Sequence, residues 1–493
     1  MMTGAGIEPL DEGLMALNRR HEYVWFLEQS EGGAGELIGG KGRRRDDGDV
    51  NRVTDRQSSW LPPLGRNAWL VLGVNMLACL GSGLTMPFLI VYLHQVRGFT
   101  LPTAGMILGI VGVAGIITTP LTGPLIDRVG SLRAFIAGLL VAAIGISAYT
   151  LATTVPTAIL AAVVYGFASG LMWNGFATLL THLVAPAERG SVFALRYMSA
   201  NVAFGAGALI SGFVTVSARP GPYVAILLAD ASSYLLFAVA LIALRPVLAP
   251  SPAVATGKEP TPHGQRIGYR QVLRDRTLLG ALLVNSMLMV FALSQTNSAF
   301  AAWVTGDGGG STRVVGFAFV LNITVLLFAQ LPAIRLARER SRWGGAARAA
   351  LFFAAAWLVL ILPTTLGLHG LTRDLMQIAS LGIFALGEAT LSPTLPALIN
   401  DLAPERLRGR YNAIFSLSNQ VGPILAPALT GFALGNGAGQ PYFYGLAVAC
   451  VAIAGLALLL RRVTPRPADL GTAREPAEVP ADNVPVPARP ARH

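Results

Sequence analysis

RGSVFALRYMSANVAFGAGALISGFVTVSARPGPY, residues 189–223, returns in the same chain as RGRYNAIFSLSNQVGPILAPALTGFALGNGAGQPY, residues 408–442, with no gap between the two registers. Arg189-Gly190 answers Arg408-Gly409, Ser199 answers Ser418, Gly212-Phe213 answers Gly431-Phe432 and Pro222-Tyr223 answers Pro441-Tyr442, at a constant offset of 219 residues (408 minus 189, 442 minus 223). Nine of the 35 positions are identical, Ala194/Ala413 and Val202/Val421 included; in a chain rich in Ala and Gly that identity weighs less than the shared register. Each copy opens on a basic residue just after an Ala-Pro pair, Ala185-Pro186 and Ala403-Pro404, and then runs through long apolar segments. The chain therefore reads as two related halves, each built the same way.

Composition says what surrounds those halves. Of 493 residues 53% are hydrophobic and 13% charged, with a mean hydropathy of +0.56, which is too apolar for a soluble domain and makes lipid the solvent for most of the chain. The formal charge of +11 does not indicate nucleic-acid binding, because the basic residues interrupt apolar runs and never line a polar face. Cys79 and Cys450 each sit alone in an apolar run, as small core residues do, so neither a disulfide framework nor a metal or cofactor site is expected. Only Lys41 and Lys258 among the 37 basic residues are lysines, an arginine bias that suits a GC-rich bacterial genome.

Residues 1–66 are polar, Gly-rich and mixed in charge and carry no secretory signal, so a disordered tail is expected there. From Ala68 twelve apolar runs follow, at 68–92, 103–124, 134–154, 157–182, 192–216, 223–245, 278–303, 312–336, 347–368, 375–399, 411–434 and 441–461. Crossing about 30 Å of hydrocarbon takes about 20 apolar residues. The alternation of a barrel strand is absent, so the expected fold is an all-α membrane protein with twelve transmembrane helices in two pseudo-symmetric six-helix bundles, 67–245 and 277–462. The Pro-rich, charged segment 246–276 joins the bundles and a second disordered tail, 463–493, ends the chain. With the N-terminus inside, the inner loops hold eighteen basic residues and the outer loops four, Arg97, Arg219, Arg313 and Arg373. Both termini are accordingly expected in the cytoplasm, in a bacterial inner membrane.

Between the second and third runs stands GPLIDRVGSLR, Gly123 to Arg133. With Gly123, Asp127-Arg128, Gly130 and Arg133 at their spacing, on the basic side, it resembles the loop signature of the major facilitator superfamily, and the twelve runs and the 6+6 repeat extend that resemblance over residues 67–462. The resemblance implies the major facilitator fold and a gating role for this loop. Asp127 would meet the start of the eleventh span, near Arg410-Tyr411, and latch the halves when the central cavity faces outward. Gly123 suits a close helix approach and Gly130 a tight turn; the alternative is a plain solvated hairpin. The second half's counterpart, Arg335 to Arg348, keeps no such aspartate-glycine pattern. GEATLSP in span ten, running into APERLRGRY, resembles bacterial multidrug and antibiotic efflux members, whereas the proline of the exporters' span-five motif is absent here and residues 158–170 lack their span-four arginine.

Charge at bilayer depth costs about 2.5–3.5 kcal/mol on insertion scales and so needs a reason. Glu388, near the middle of 375–399, and Asp230, about four residues or roughly 6 Å outward of the middle of 223–245, are the only acids well inside spans. Glu388 is the first candidate for the carboxyl that takes and gives a proton or meets a cationic substrate, with Asp230 second. The plain alternatives are a helix-bundling hydrogen bond for Glu388 and a bond to Ser232 or Ser233 for Asp230. Asn75, Asn174, Asn285, Gln295, Asn297 and Asn322 are neutral amides that would line a central cavity or, more simply, bond helix to helix.

Together these readings give a non-enzymatic secondary transporter. The resemblance implies export of an amphiphilic drug or antibiotic, by proton antiport and alternating access, from a monomer. No GxxxxGK[ST] loop points to ATP. An uptake or metabolite carrier of the same fold is the alternative. A membrane-embedded enzyme would need paired acids or a nucleophile with its base at the surface, and the outer loop 305–311 offers only Asp307.

Overall fold

The computed structural model describes residues 64–184, 188–215, 219–246, 272–338, 340–404 and 407–470. The tails and linker expected from the sequence fall largely outside these residues. Among the described residues the regular structure is helical, with no strand. In chain order the spans are α1 Arg66–Val96, α2 Leu101–Val129, α3 Ser131–Leu151, α4 Val155–Leu183, α5 Arg189–Val214, α6 Pro220–Leu244, α7 Arg276–Thr305, α8 Thr312–Arg338, α9 Arg342–Thr365, α10 Gly370–Leu402, an interrupted α11, and α12 Gly439–Val463, followed by a short α13, Arg466–Leu470.

Eleven of these helices are long and apolar enough to cross a membrane. The remaining expected span, 411–434, falls on α11, which Gln420 divides into Arg408–Asn419 and Val421–Gly435, of 12 and 15 residues. Pro423 gives the reason: it has no N–H, and its ring crowds the carbonyl four residues back, that of Asn419, where the first piece stops. The hairpin between α2 and α3 turns at Gly130, whose φ of 87° is one that L side chains rarely adopt.

Helix pairing carries the internal repeat into three dimensions. α1 packs on α5 and α6 as α7 packs on α11 and α12; α2 meets α4 as α8 meets α10; α3 meets α4 and α6 as α9 meets α10 and α12. Each pairing recurs six spans on, so the chain forms two pseudo-symmetric six-helix bundles. Two large contacts cross between them, α2 on α11 and α5 on α8. The outward faces are apolar: Leu151 is 80% exposed, Phe328 79% and Phe432 68%. A water-soluble chain does not present such a surface all round, so these faces look into hydrocarbon. Because lipid is as apolar as leucine, burial adds little between spans, and close backbone packing holds them instead.

The basic end of the second bundle is closed by Asp469 of α13. Its Oδ1 accepts from Ser341 Oγ at 2.8 Å and from the backbone N–H of Trp343, in the first turn of α9, at 3.0 Å, while Arg461 stands 3.5 Å from Oδ2. Trp343 Nε1 adds a bond to Thr464 Oγ1, 2.8 Å. Asp469→Ala is therefore expected to cost about 1–2 kcal/mol, as loss of a helix cap does, read as a lowered thermal unfolding midpoint of the purified protein in detergent. An unchanged midpoint would show that α13 contributes nothing to holding α9.

Candidate functional site

Three spans lose regular α geometry at one level, and a cavity lies among them. α1 passes through a 3₁₀ turn at Met86–Phe88 that contains Pro87, with a π turn at Tyr92–Val96. Its counterpart α7 breaks at Ala292 (φ −127°, ψ −80°) and continues through a 3₁₀ turn, Leu293–Gln295, and a π turn, Thr296–Phe300. α11 breaks at Gln420. Between these breaks lies a cavity of about 230 Å³. Met86 and Leu89 of α1 and Leu108 and Val111 of α2 give it an apolar wall; Tyr165 and Ser169 of α4, Ser294, Asn297 and Ser298 of α7 and Gln420 of α11 supply polar groups. Broken helices around a central chamber put otherwise unpaired backbone groups and short polar side chains next to a ligand.

The cavity is sealed toward the Arg-poor end. A Cβ on Gly105 of α2 would fall on the Pro427 carbonyl oxygen of α11, and one on Gly431 on the Leu101 carbonyl oxygen. On the other seam a Cβ on Gly212 of α5 would lie 2.6 Å from the Thr312 carbonyl oxygen, and Thr312 Oγ1 donates to Gly212 O at 2.9 Å. Phe204 and Phe319 stack edge to face across the same seam, 5.9 Å apart. Gln95 Nε2 of α1 donates to Thr305 O of α7 at 3.3 Å. All these contacts lie in the Arg-poor halves of their helices. At the Arg-rich end Gly123 has nothing near it. Asp127, Arg128 and Arg133 are exposed, and Asp127 makes no hydrogen bond or ion pair among the described residues. The latch that the resemblance implies belongs to the opposite arrangement, and here it is not engaged.

The amides singled out from the sequence do different work. Asn297 lines the cavity. Asn285 donates from Nδ2 to Ser418 Oγ and to Asn419 Oδ1, both at 2.8 Å, tying α7 to the piece of α11 before its break. Gln295 is fully buried; its Nε2 donates to Val290 O at 2.7 Å, replacing a bond lost where α7 breaks, and its Oε1 accepts from Thr430 Oγ1 of α11 at 2.8 Å. Asn75, at the position in α1 that Asn285 holds in α7, instead contacts Cys79 Sγ on its own helix at 3.6 Å. The Asn174 side chain lies outside the described part of the structure. Ser294, Ser298 and Gln420 escaped the sequence reading, although the polar run Ser294-Gln295-Thr296-Asn297-Ser298 inside an apolar span was the signal for the first two.

Glu388 of α10 is half-buried, and its Oε2 accepts from Asn322 Nδ2 of α8 at 2.9 Å. The same amide nitrogen also donates to Leu381 O at 3.2 Å. Tyr197 of α5, in the other bundle, lies within electrostatic reach. Glu388 thus joins α10 to α8 and is not among the residues that line the cavity. Asp230 of α6 is completely buried. Neither expected serine bonds its carboxyl: Ser233 Oγ donates to the Asp230 backbone carbonyl at 2.7 Å and Ser232 Oγ to Leu228 O at 2.7 Å.

The Major Facilitator Superfamily family model matches residues 71–371 and again 286–490. An uncharacterised MFS-type transporter, YqjV of Bacillus subtilis (strain 168), is 21% identical over 395 residues, covering 80% of this chain and 92% of that protein. The multidrug resistance protein MdtH of Aeromonas salmonicida (strain A449) is 25% identical over 402 residues, 80% of this chain and 95% of its own. Among solved structures, a peptide transporter POT in complex with sulfate superposes with a TM-score of 0.65 at 17% identity, over 85% of this chain and 99% of that one. The nucleoside transporter NupG gives 0.59 at 12% identity, over 80% and 99%. At such identities the two structures speak for the fold alone.

Proposed function

Because the chain belongs to the Major Facilitator Superfamily, and so is a multi-pass membrane transporter of small molecules, we propose that it exports amphiphilic drugs or antibiotics in exchange for protons. The Arg-rich end faces the cytoplasm, both termini lie there, and the bundles 67–245 and 277–462 rock about the central cavity. The observation that carries this reading is the cavity wall, apolar along α1 and α2 and hydroxyl- and amide-bearing along α4, α7 and α11, which matches a molecule with an oily body and a few polar groups. The multidrug resistance proteins among the relatives support the direction and the substrate class. Glu388 is the coupling group: a carboxyl at bilayer depth, held by one amide of α8.

The test is efflux of a panel of dyes and antibiotics, with an imposed pH gradient, from cells that lack their own pumps. Faster efflux of several panel members that collapses with the gradient is expected. Sensitivity unchanged by the protein, together with growth on one nutrient that depends on it, would replace export with uptake.

A further inference from the structure

The proposed coupling group leaves one acid unexplained. Asp230 is completely buried and no Lys or Arg pairs with it among the described residues; only the hydroxyls of Thr85 and Tyr234 approach its carboxylate, and neither meets it in full hydrogen-bond geometry. A carboxyl is not kept in that condition for packing, because a structural one is paired. Around it stand Thr85, Cys79 and the Gly81 backbone of α1, Tyr165 of α4 and Tyr234 one turn along α6. A Cβ on Gly81 would lie 2.8 Å from Oδ1, so the α1 backbone closes that side. Thr85 Oγ1 is itself buried and faces the carboxyl. Arg196 of α5 acts on Cys79; the groups that act on Asp230 are the hydroxyls of Thr85 and Tyr234.

The hydroxyls lead somewhere. Tyr234 OH is 2.9 Å from Ser82 Oγ and 3.3 Å from Tyr165 OH, and Tyr165 is part of the cavity wall. Ser82 spends its own proton on Ala78 O at 3.2 Å. Its oxygen is thus left to accept from Tyr234, and the Tyr234 oxygen to accept from Tyr165.

We propose that Asp230 is a second proton-binding site of the transporter, loaded from the central cavity through the hydroxyls of Tyr165 and Tyr234. On loading, the Tyr234 O–H turns from Ser82 to Asp230 and gives its proton to the carboxylate. Tyr165 gives its proton to the Tyr234 oxygen, and a hydronium in the cavity restores Tyr165 and becomes water. Both phenols end as they began, one carboxylate becomes a carboxylic acid, and unloading runs the same steps backward. The site's use in transport rests on the proton-coupled reading above; its existence does not.

Infrared difference spectra of the full chain in lipid nanodiscs, stepped between about pH 5 and pH 9, test this without any substrate. The carboxylic C=O band of the wild type is expected to contain a component that is absent from Asp230→Asn and kept by Glu388→Gln. Tyr165→Phe and Tyr234→Phe keep the component, but after a pH jump it appears about a hundredfold more slowly, the scale of a lost proton-transfer group. A wild-type band without that component, its survival in Asp230→Asn, or wild-type kinetics in both Phe variants overturns the proposal. Should the component titrate as described while no pH gradient drives transport, the exporter reading fails and the Asp230 site stands.

Discussion

Glu388→Gln is expected to lower pH-gradient-driven export about a hundredfold while leaving the protein folded and able to exchange bound substrate without a gradient. Glutamine keeps the shape and an Oε acceptor for Asn322 Nδ2, which now bonds the carboxylate at 2.9 Å. What it removes is the ability to bind and release a proton during the cycle. Asn322→Ala, by contrast, deletes the amide donor and leaves the acid. It is expected to shift the pH dependence of export and to reduce its rate less than Glu388→Gln does. Both are read in everted vesicles loaded with a transported dye. Gradient-driven export of Glu388→Gln at the wild-type rate would remove Glu388 from the coupling step.

Gly431→Val is expected to hold the Arg-poor end open. Where α2 crosses α11, backbone meets backbone: a Cβ at 431 would fall on the Leu101 carbonyl oxygen and come within 3.1 Å of the Gly105 Cα. Neither neighbour is the movable tip of a side chain. Overpacking of this kind costs about 1–3 kcal/mol, and it acts only on the arrangement in which these helices touch, so the balance shifts about 5- to 150-fold toward the other. A cysteine placed at Ser294 in the cavity wall should then react faster with a membrane-impermeant thiol reagent added at the Arg-poor side, and net transport should fall. Reaction at the wild-type rate would mean that the α2–α11 contact is not a gate.

How far these features can be read from the residues varies along the chain. The 219-residue echo identifies α5 and α11 as counterparts, and the structure repeats the principal helix pairings six spans on. It also separates the two: α5 runs unbroken while α11 breaks, because the position matching Pro423 is Phe204, which keeps its N–H (423 minus 219). Pro87 likewise marks the 3₁₀ turn in α1. The break in α7 has neither proline nor glycine to announce it, only the polar run 294–298. Pairing of the amides was not legible at all. Asn75 and Asn285 occupy matching places, yet only Asn285 finds a neighbour across helices, because Ser418 and Asn419 come within reach only once α11 is folded against α7. Asp230 stood out as an intramembrane acid; that its carboxyl has no cationic partner among the described residues, and that tyrosines lead from it to the cavity, are facts of packing.

Alternating access between the bundles is tested most directly by two spin-label distances measured on the same protein. One pair, at Thr100 and Asn436, reports the Arg-poor ends of α2 and α11; the other, at Val129 and Gly409, reports their Arg-rich ends. All four positions are exposed. On adding a transported drug, or on changing pH, a population should appear in which the first distance is longer and the second shorter. Two distances that stay fixed under every condition, or that lengthen together, would contradict rocking about the central cavity.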